Sequence, residues 1–246
     1  MSQPLIALVT GANKGLGFET SRQLAQKGIK VLMGARDLKK GEDAAASLRA
    51  LDLDIAFIHL DVTNTGQITH VAKYIEGTFG KLDILVNNAG MRHPQESLFG
   101  PSVETLPIRA VMETFDVNFF GAVELTQALL PLIKKSAAGR IVNISSILGS
   151  LTLHSDEQAG LQDFKPFAYD ASKTALNQFT VHLAASLKNT NIKVNSAHPG
   201  WVRTDMGTDQ APMAVAEGAK TAVMLATLGP EGPTGKFLHF EEEIPW

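Results

Sequence analysis

Leu5-Ile-Ala-Leu-Val9, followed at once by Thr10-Gly-Ala-Asn-Lys-Gly15-Leu-Gly17, is the stretch on which the reading of this chain turns. Five consecutive apolar residues make a short, fully buried strand. Glycines 11, 15 and 17 form the turn after it, and Phe18-Glu-Thr-Ser-Arg-Gln-Leu-Ala25 has the apolar spacing of a helix. A strand, a glycine-rich turn and a helix N-terminus together make an anion site. Backbone N–H groups point outward there, and the helix dipole favours a phosphate. The spacing is Gly-x-x-x-Gly-x-Gly, not the commoner Gly-x-Gly-x-x-Gly.

The pattern repeats outward from this start. Apolar strand candidates are 5–9, 30–34, 55–60, 82–86, 140–144, 192–197 and 236–240. Amphipathic helical stretches alternate with them: 15–26, 38–50, 65–79, a long one around 112–135, 167–189 and 214–228. Such alternation predicts a parallel sheet with helices on both faces. A chain of 246 residues is long enough to build this as one α/β domain spanning residues 1–246.

Composition excludes several rivals. A formal charge of −3 with 44% hydrophobic residues gives no general surface for nucleic acid or an anionic membrane. With no cysteine there are no disulfides, thiolate metal sites or thiol nucleophiles. The seven histidines show no metal-ligand pattern, so no metal is expected. No apolar run reaches membrane-span length and no basic region precedes the first strand, which reads as a cytoplasmic protein.

Further along, Tyr169-Asp-Ala-Ser-Lys173 sets a phenol and an ammonium four residues apart, one helical turn on one face. Ser146 ends the apolar run that begins at Arg140. Together these residues resemble the short-chain dehydrogenase/reductase family. The resemblance runs from Thr10 to about Gly235 and rests on an ordered set: Thr10-Gly-x-x-x-Gly-x-Gly17, Asn87-Asn-Ala-Gly90, Asn118, Ser146, Tyr169-x-x-x-Lys173, and Pro199-Gly200 with Thr204 after. The loop Gly-Ala-Asn-Lys-Gly-Leu-Gly is similar to that of the carbonyl-reductase branch.

The resemblance implies a single Rossmann-like domain with a seven-stranded parallel sheet, order 3-2-1-4-5-6-7. It implies hydride transfer from a nicotinamide to a ketone or aldehyde carbon, reversibly. Tyr169 is then the proton donor, Ser146 fixes the carbonyl oxygen, and Lys173 binds the nicotinamide ribose and lowers the tyrosine pKa. Ser146 is preferred to Ser145 because Ser146-Ile-Leu-Gly149 matches the family's Ser-x-x-Gly. Asn118 would hold a water that reaches Lys173. The cofactor would be held by Gly11, Asn13, Lys14, Gly15, Leu16 and Gly17 in the first loop, and by Asp61 and Val62 at the adenine. Asn87, Ala89, Gly90, Tyr169, Lys173, Pro199, Gly200, Val202 and Thr204 complete its site.

Which nicotinamide cofactor is bound is read at the end of the second strand. NAD-selective sites place an acid there for the ribose 2′-hydroxyl. Here Ala35 holds that position, Arg36 follows, and Lys14 sits in the first loop. Two cations suit a 2′-phosphate, so the expected cofactor is NADP(H); Asp37 reads as a helix cap. The substrate would be a small carbonyl compound or alcohol, against Leu148, Leu151, Leu153, Phe164, Trp201 and Met206, with His93 and His154 as polar contacts. Tyr169 follows Ser146 by 23 positions, longer than most of the family. That segment, and the acidic tail Glu241-Glu-Glu-Ile-Pro-Trp246, suggest a monomer or homodimer. Alternatives are NADP-dependent alcohol oxidation, a non-catalytic NADP-binding sensor on the same fold, and a nucleotide-sugar epimerase or dehydratase. Intact Ser146, Tyr169 and Lys173 argue against the sensor, and the short stretch after Gly235 against the last.

Overall fold

Every residue of strand β1 (Ile6–Thr10) is buried in the computed structural model, which describes residues 4–246. Ala7 and Val9 enter one core layer, Ile6 and Leu8 the other, because successive side chains of a strand point to opposite faces. A strand with an apolar layer on each side needs helices on both faces of the sheet. Strands β2 (Lys30–Ala35), β3 (Ile55–His59), β4 (Ile84–Asn87), β5 (Arg140–Ile144), β6 (Lys193–Ala197) and β7 (Phe237–His239) join it. Their order is β3-β2-β1-β4-β5-β6-β7, all parallel, as the resemblance implied.

The expectation of seven strands needs a correction. An eighth, β8 (Glu242–Glu243), returns antiparallel along β7. Two exposed glutamates carry no hydrophobic period, so nothing in the pattern marks them as a strand. The tail is also held beyond β8: Trp246 stacks on Phe237 at 5.6 Å, and the Thr152 amide donates to the Trp246 carbonyl at 3.0 Å. Residues 1–3, included in the 1–246 unit read from the sequence, lie outside the described residues.

The helices are α1 (Gly15–Gln26), α2 (Leu38–Arg49), α3 (Thr65–Phe79), α4 (Ile108–Phe115), α5 (Gly121–Ile133), α6 (Leu151–Ser155), α7 (Phe167–Ser186) and α8 (Val215–Ala226). Asp37 caps α2 by accepting from the Lys40 amide at 2.9 Å, and Asn64 caps α3 from the Gln67 amide at 3.0 Å. Each such cap stabilises its helix by about 1 kcal/mol. The single helix expected around 112–135 is instead α4, a π-helical turn over Asp116–Phe120, and α5. A π turn closes i to i+5 bonds and leaves the apolar spacing on either side nearly intact, so periodicity does not reveal it. Helix α6 and the 3₁₀ turn Ile147–Gly149 were also absent from the sequence reading, being shorter than any periodic signal.

Beneath the carboxyl ends of the strands, a buried polar ladder ties the sheet to its helices. Asn87 lies opposite Asn143, and Asn143 opposite Ser196, in the strand register. Asn87 Nδ2 donates to Asn143 Oδ1 at 2.8 Å and to Thr126 Oγ1 of α5 at 2.9 Å. Asn143 Nδ2 donates to Thr180 Oγ1 of α7 at 2.8 Å, and Thr180 meets Ser196 at 2.9 Å. Networks of this kind fix one arrangement of neighbouring elements, since any slip leaves more buried polar groups without partners. Among the described residues, no helix is long and apolar enough to cross a membrane.

Candidate active site

The glycine loop leaves β1 in a conformation that side chains resist. Gly11 has φ +62°, and a Cβ there would stand 3.0 Å from the Ala89 Cα. At Gly17 a Cβ would lie 2.5 Å from both the Gly11 carbonyl oxygen and Asn88 Nδ2. Glycine therefore lets α1 begin directly against the ends of β1 and β4. The loop is braced by Asn88, which the sequence reading left without a role. Its Nδ2 donates to the Thr10 carbonyl at 2.7 Å, and its amide and that of Ala89 both donate to Thr10 Oγ1 at 2.9 Å. A side chain able to donate and accept, directly after Asn87, was the available signal. Gly15 brings Thr204 close, with a Cβ position 3.4 Å from Thr204 Cγ2, and Leu16 packs near Gly218 of α8. Asn13 lies in the turn between β1 and α1, partly buried.

Around the rim, the remaining expected contacts divide. Arg36 follows buried Ala35 at the end of β2, is exposed, and its guanidinium has no hydrogen bond or ion pair among the described residues. Lys14 is committed elsewhere, in an exposed ion pair with Asp205. Asp61 Oδ1 accepts from the Thr63 amide at 2.9 Å and hydroxyl at 2.8 Å, so half of its carboxylate stabilises the turn after β3. Val62 is buried, and Gly121 passes so close that a Cβ would be 2.7 Å from its carbonyl. Gly200 has φ +85°, with Met213 filling the Cβ position. Val202 is buried, Pro199 precedes Gly200 in the same turn, and Thr204 Oγ1 accepts from the Gly207 amide at 3.2 Å.

Ser146, Tyr169 and Lys173 do come together, where β5 ends against α7. Ser146 caps the 3₁₀ turn by accepting from the Leu148 amide at 3.2 Å. Gly149 allows that turn to touch α7, since a Cβ would lie 2.9 Å from the Lys173 Cβ. This explains the glycine of Ser-x-x-Gly physically. Lys173 is buried and its Nζ donates to the Ile144 carbonyl at 2.7 Å, 5.6 Å from the centre of the Tyr169 ring. Burial pushes the Lys173 ammonium down to about 8. Ser145 is buried with its hydroxyl unpartnered, on the sheet side of the pair.

Burial dominates the environment of the tyrosine. Tyr169 keeps part of its surface open, yet sits so deep in the cleft that desolvation pushes its phenol up to about 12. Ser146 and, more weakly, the Arg92 charge pull it down, while neighbouring Asp170 pushes it up. Lys173 turns a proton to the sheet, toward the Ile144 carbonyl. A phenol in this setting holds its proton at neutral pH.

Asn118 sits in the π turn, 1% exposed, with its side chain fully engaged. Oδ1 accepts from the Met91 amide at 2.7 Å, and Nδ2 donates to the Met91 carbonyl at 2.8 Å and to Ser172 Oγ at 2.9 Å. It clasps the chain just beyond Gly90, whose missing Cβ would face Asn118 Oδ1 at 3.4 Å and Lys173 Nζ at 3.5 Å.

On the outer side, both histidines are occupied by the protein itself. His93 Nδ1 accepts from the Gln95 amide at 3.2 Å, so its Nε2 carries the proton toward Glu113 at 3.1 Å. His154 Nδ1 accepts from Lys165 Nζ at 2.7 Å, while Nε2 donates to the Leu148 carbonyl at 2.9 Å and faces Asp170 Oδ2 at 3.3 Å. Burial and the Glu96 charge push the Asp170 carboxyl up to about 8. Leu148 is buried and Leu153 half-buried, whereas Leu151 is exposed. Trp201 donates to the Gly207 carbonyl at 2.7 Å and meets Phe164 edge-on at 5.8 Å; Phe164 in turn meets Phe99 at 5.2 Å. Three loops are thus joined by one row of aromatic rings. Among the described residues, no group of three or more acids and histidines gathers to hold a metal ion.

A match to the short chain dehydrogenase family spans residues 5–214. The chain is 35% identical to carbonyl reductase (NADPH) 1 of Mus musculus, over 98% of each chain. It is 34% identical to a (+)-neomenthol dehydrogenase of Arabidopsis thaliana, over 95% of each. In three dimensions it resembles the NADPH-bound carbonyl reductase from chicken fatty liver, with TM-score 0.85 and 26% identity over the whole of both chains.

Proposed function

The chain belongs to the short chain dehydrogenase family, and from that premise we propose that it reduces a ketone or aldehyde carbonyl to the alcohol with NADPH. The observation that carries the reading is the meeting of a proton-retaining phenol, Tyr169, with Ser146 and Lys173 at the end of β5. An oxidoreductase acting on C=O and CH–OH groups, with NADP(H) as cofactor, is also what the similar carbonyl reductases are named for.

The residues present fit such a cofactor. The glycine cradle at 11, 15 and 17 leaves backbone N–H groups and a helix N-terminus free of side-chain bulk, as a pyrophosphate requires. Arg36 offers an uncommitted guanidinium where a 2′-phosphate would lie, and Ala35 puts no acid against it. Lys14 would reach the same phosphate only by leaving Asp205, so we assign most of the preference to Arg36. Asp61 keeps its Oδ2 for the adenine, and Val202 and Thr204 line the nicotinamide end.

When bound, the nicotinamide supplies the hydride for the carbonyl carbon. Tyr169 donates its phenolic proton to the substrate oxygen as charge grows there, and Ser146 hydrogen-bonds the same oxygen and fixes its direction. Lys173, held by the Ile144 carbonyl, has two N–H donors left for the ribose hydroxyls. A water near Asn118 would pass a proton toward Lys173. Donation leaves a tyrosinate, and alcohol oxidation starts from that tyrosinate, so the step runs in either direction. The unit that does this is the whole of 1–246, acting as a monomer or homodimer on a small molecule. A panel of aldehydes, ketones, diketones and alcohols with NADPH, NADH and their oxidised forms, followed by the absorbance of the reduced nicotinamide, tests the reading. No turnover of any carbonyl compound with NADPH would overturn it.

A further inference from the structure

Helix α7, which carries Tyr169 and Lys173, begins without a cap of its own. Its N-cap residue is Pro166, which makes no side-chain cap bond. The first amides of a helix have no partner within it, and a helix start buried without acceptors is costly. Here the acceptors arrive from a loop some seventy positions away. Ser102 Oγ accepts from the Phe167 amide at 2.8 Å. Glu96 accepts from the Ala168 amide through Oε1 at 2.7 Å and from the Tyr169 amide through Oε2 at 3.2 Å. The Asp170 amide closes on the Pro166 carbonyl at 2.9 Å, so all four are satisfied. Ser102 Oγ donates to Glu96 Oε1 at 2.9 Å and so binds the two acceptors to each other.

Glu96 is only 1% exposed, which an acid tolerates when its oxygens are fully hydrogen-bonded. Its backbone is held as well: the Glu96 amide donates to the His93 carbonyl at 2.9 Å, and Arg92 donates to the Glu96 carbonyl. The same loop is clasped upstream by Asn118 at Met91. One short segment therefore links the π turn to the first turn of α7. We propose that Glu96, with Ser102, is a positioning residue for the reaction: a cap supplied by a distant loop that fixes the height and direction of Tyr169 at the substrate carbonyl. The carboxylate also brings negative charge to the helix N-terminus, where the dipole favours it. This inference rests on the reading of Tyr169 as the proton donor.

The test uses Glu96→Gln in the full-length protein. Glutamine keeps the size but turns an NH₂ toward an amide that needs an acceptor. Carbonyl reduction should lose kcat by about a hundredfold, the scale of a reacting group misplaced by about an ångström. NADPH affinity, read by fluorescence, should not change. In a Tyr169→Phe background the same substitution should lower the residual rate no further, because the cap acts through the phenol. Normal kcat in folded Glu96→Gln, or a further equal loss in the Tyr169→Phe background, overturns the proposal. Should Glu96→Gln not fold, Ser102→Ala decides, since it frees one amide and leaves the carboxylate in place. A kcat lowered by about tenfold with unchanged NADPH affinity supports the cap, and an unchanged kcat overturns it. Near-normal turnover by Tyr169→Phe alone would overturn the parent reading, a result that does not depend on Glu96.

Discussion

The two banks of the cleft are built on different principles. On one bank, the Thr10 and Asn88 side chains bind backbone groups at the ends of adjacent strands, and Gly11 and Gly17 pack hard against them. On the other, Phe99, Phe164 and Trp201 touch ring to ring across three loops, above a cluster of Lys165, His154, Asp170 and Glu96. The first bank is a cradle that admits one backbone shape. The second is an assembly of side chains, ring against ring and charge against charge. Loop side chains of this kind are where a fold can change its specificity while its scaffold stays the same.

Breaking the comparison starts at the seam between the banks. Tyr169→Phe should lose carbonyl reduction by at least about a hundredfold while binding NADPH normally, since only the proton is removed. Steady-state rates beside a cofactor titration check this, and a parallel loss of NADPH binding would mean that the seam holds the cofactor rather than the proton. The next largest effect belongs to the first bank. Ala35→Asp with Arg36→Ile should invert a preference for NADPH over NADH of about tenfold to a hundredfold, screened because Arg36 is exposed. The native preference should shrink as salt rises. Equal kcat/KM for both cofactors at low salt in the unmutated protein would remove Arg36 from the phosphate.

Phe164→Ala sharpens the contrast, because it touches the second bank alone. It should raise KM for bulky ketones by about tenfold at most, in line with the loss of one aromatic contact, and leave NADPH affinity unchanged. The smallest effect concerns stability. The folded Asp170 carboxyl titrates near 8, far above its ordinary 3.8, so the folded state holds its proton more tightly than the unfolded chain. That contribution to stability is complete below about pH 4 and is lost as pH rises toward 8. Asp170→Asn should therefore gain thermal stability over the parent steadily between those values, at roughly 2–4 °C per kcal/mol for a chain of this size. A difference in Tm that stays flat with pH would show that Asp170 ionises freely.

The legibility of these regions in the sequence follows the same divide. Helices α1 and α3 run over the residues expected, 15–26 and 65–79, because glycine, a capping Asn64 and Gly80 punctuate them. The glycine loop was readable because few residue types satisfy a crowded turn, whereas the order of the parallel strands came from the family resemblance and not from spacing. Lys14 looked free from sequence spacing, yet pairs with Asp205 nearly two hundred positions on. Glu96 was missed, as one acid in a polar loop has no periodic signature. Its only trace was negative: Pro166 opens a long helix where a capping side chain would be expected. The π turn hid inside an apolar run for a similar reason.

The short return strand β8 has a consequence for the molecule among its own kind. A sheet edge offers unpaired N–H and C=O groups to any passing strand, and growth by strand addition is how many proteins aggregate. Here β7 is covered by a partner of two residues running the opposite way, and both are exposed glutamates. Lys236 neutralises Glu243 from the neighbouring chain segment, leaving Glu242 facing solvent beside Glu241. A second molecule approaching that border meets a template too short to zip onto and like charge where it would pair. The acidic hairpin is a stop signal for the sheet.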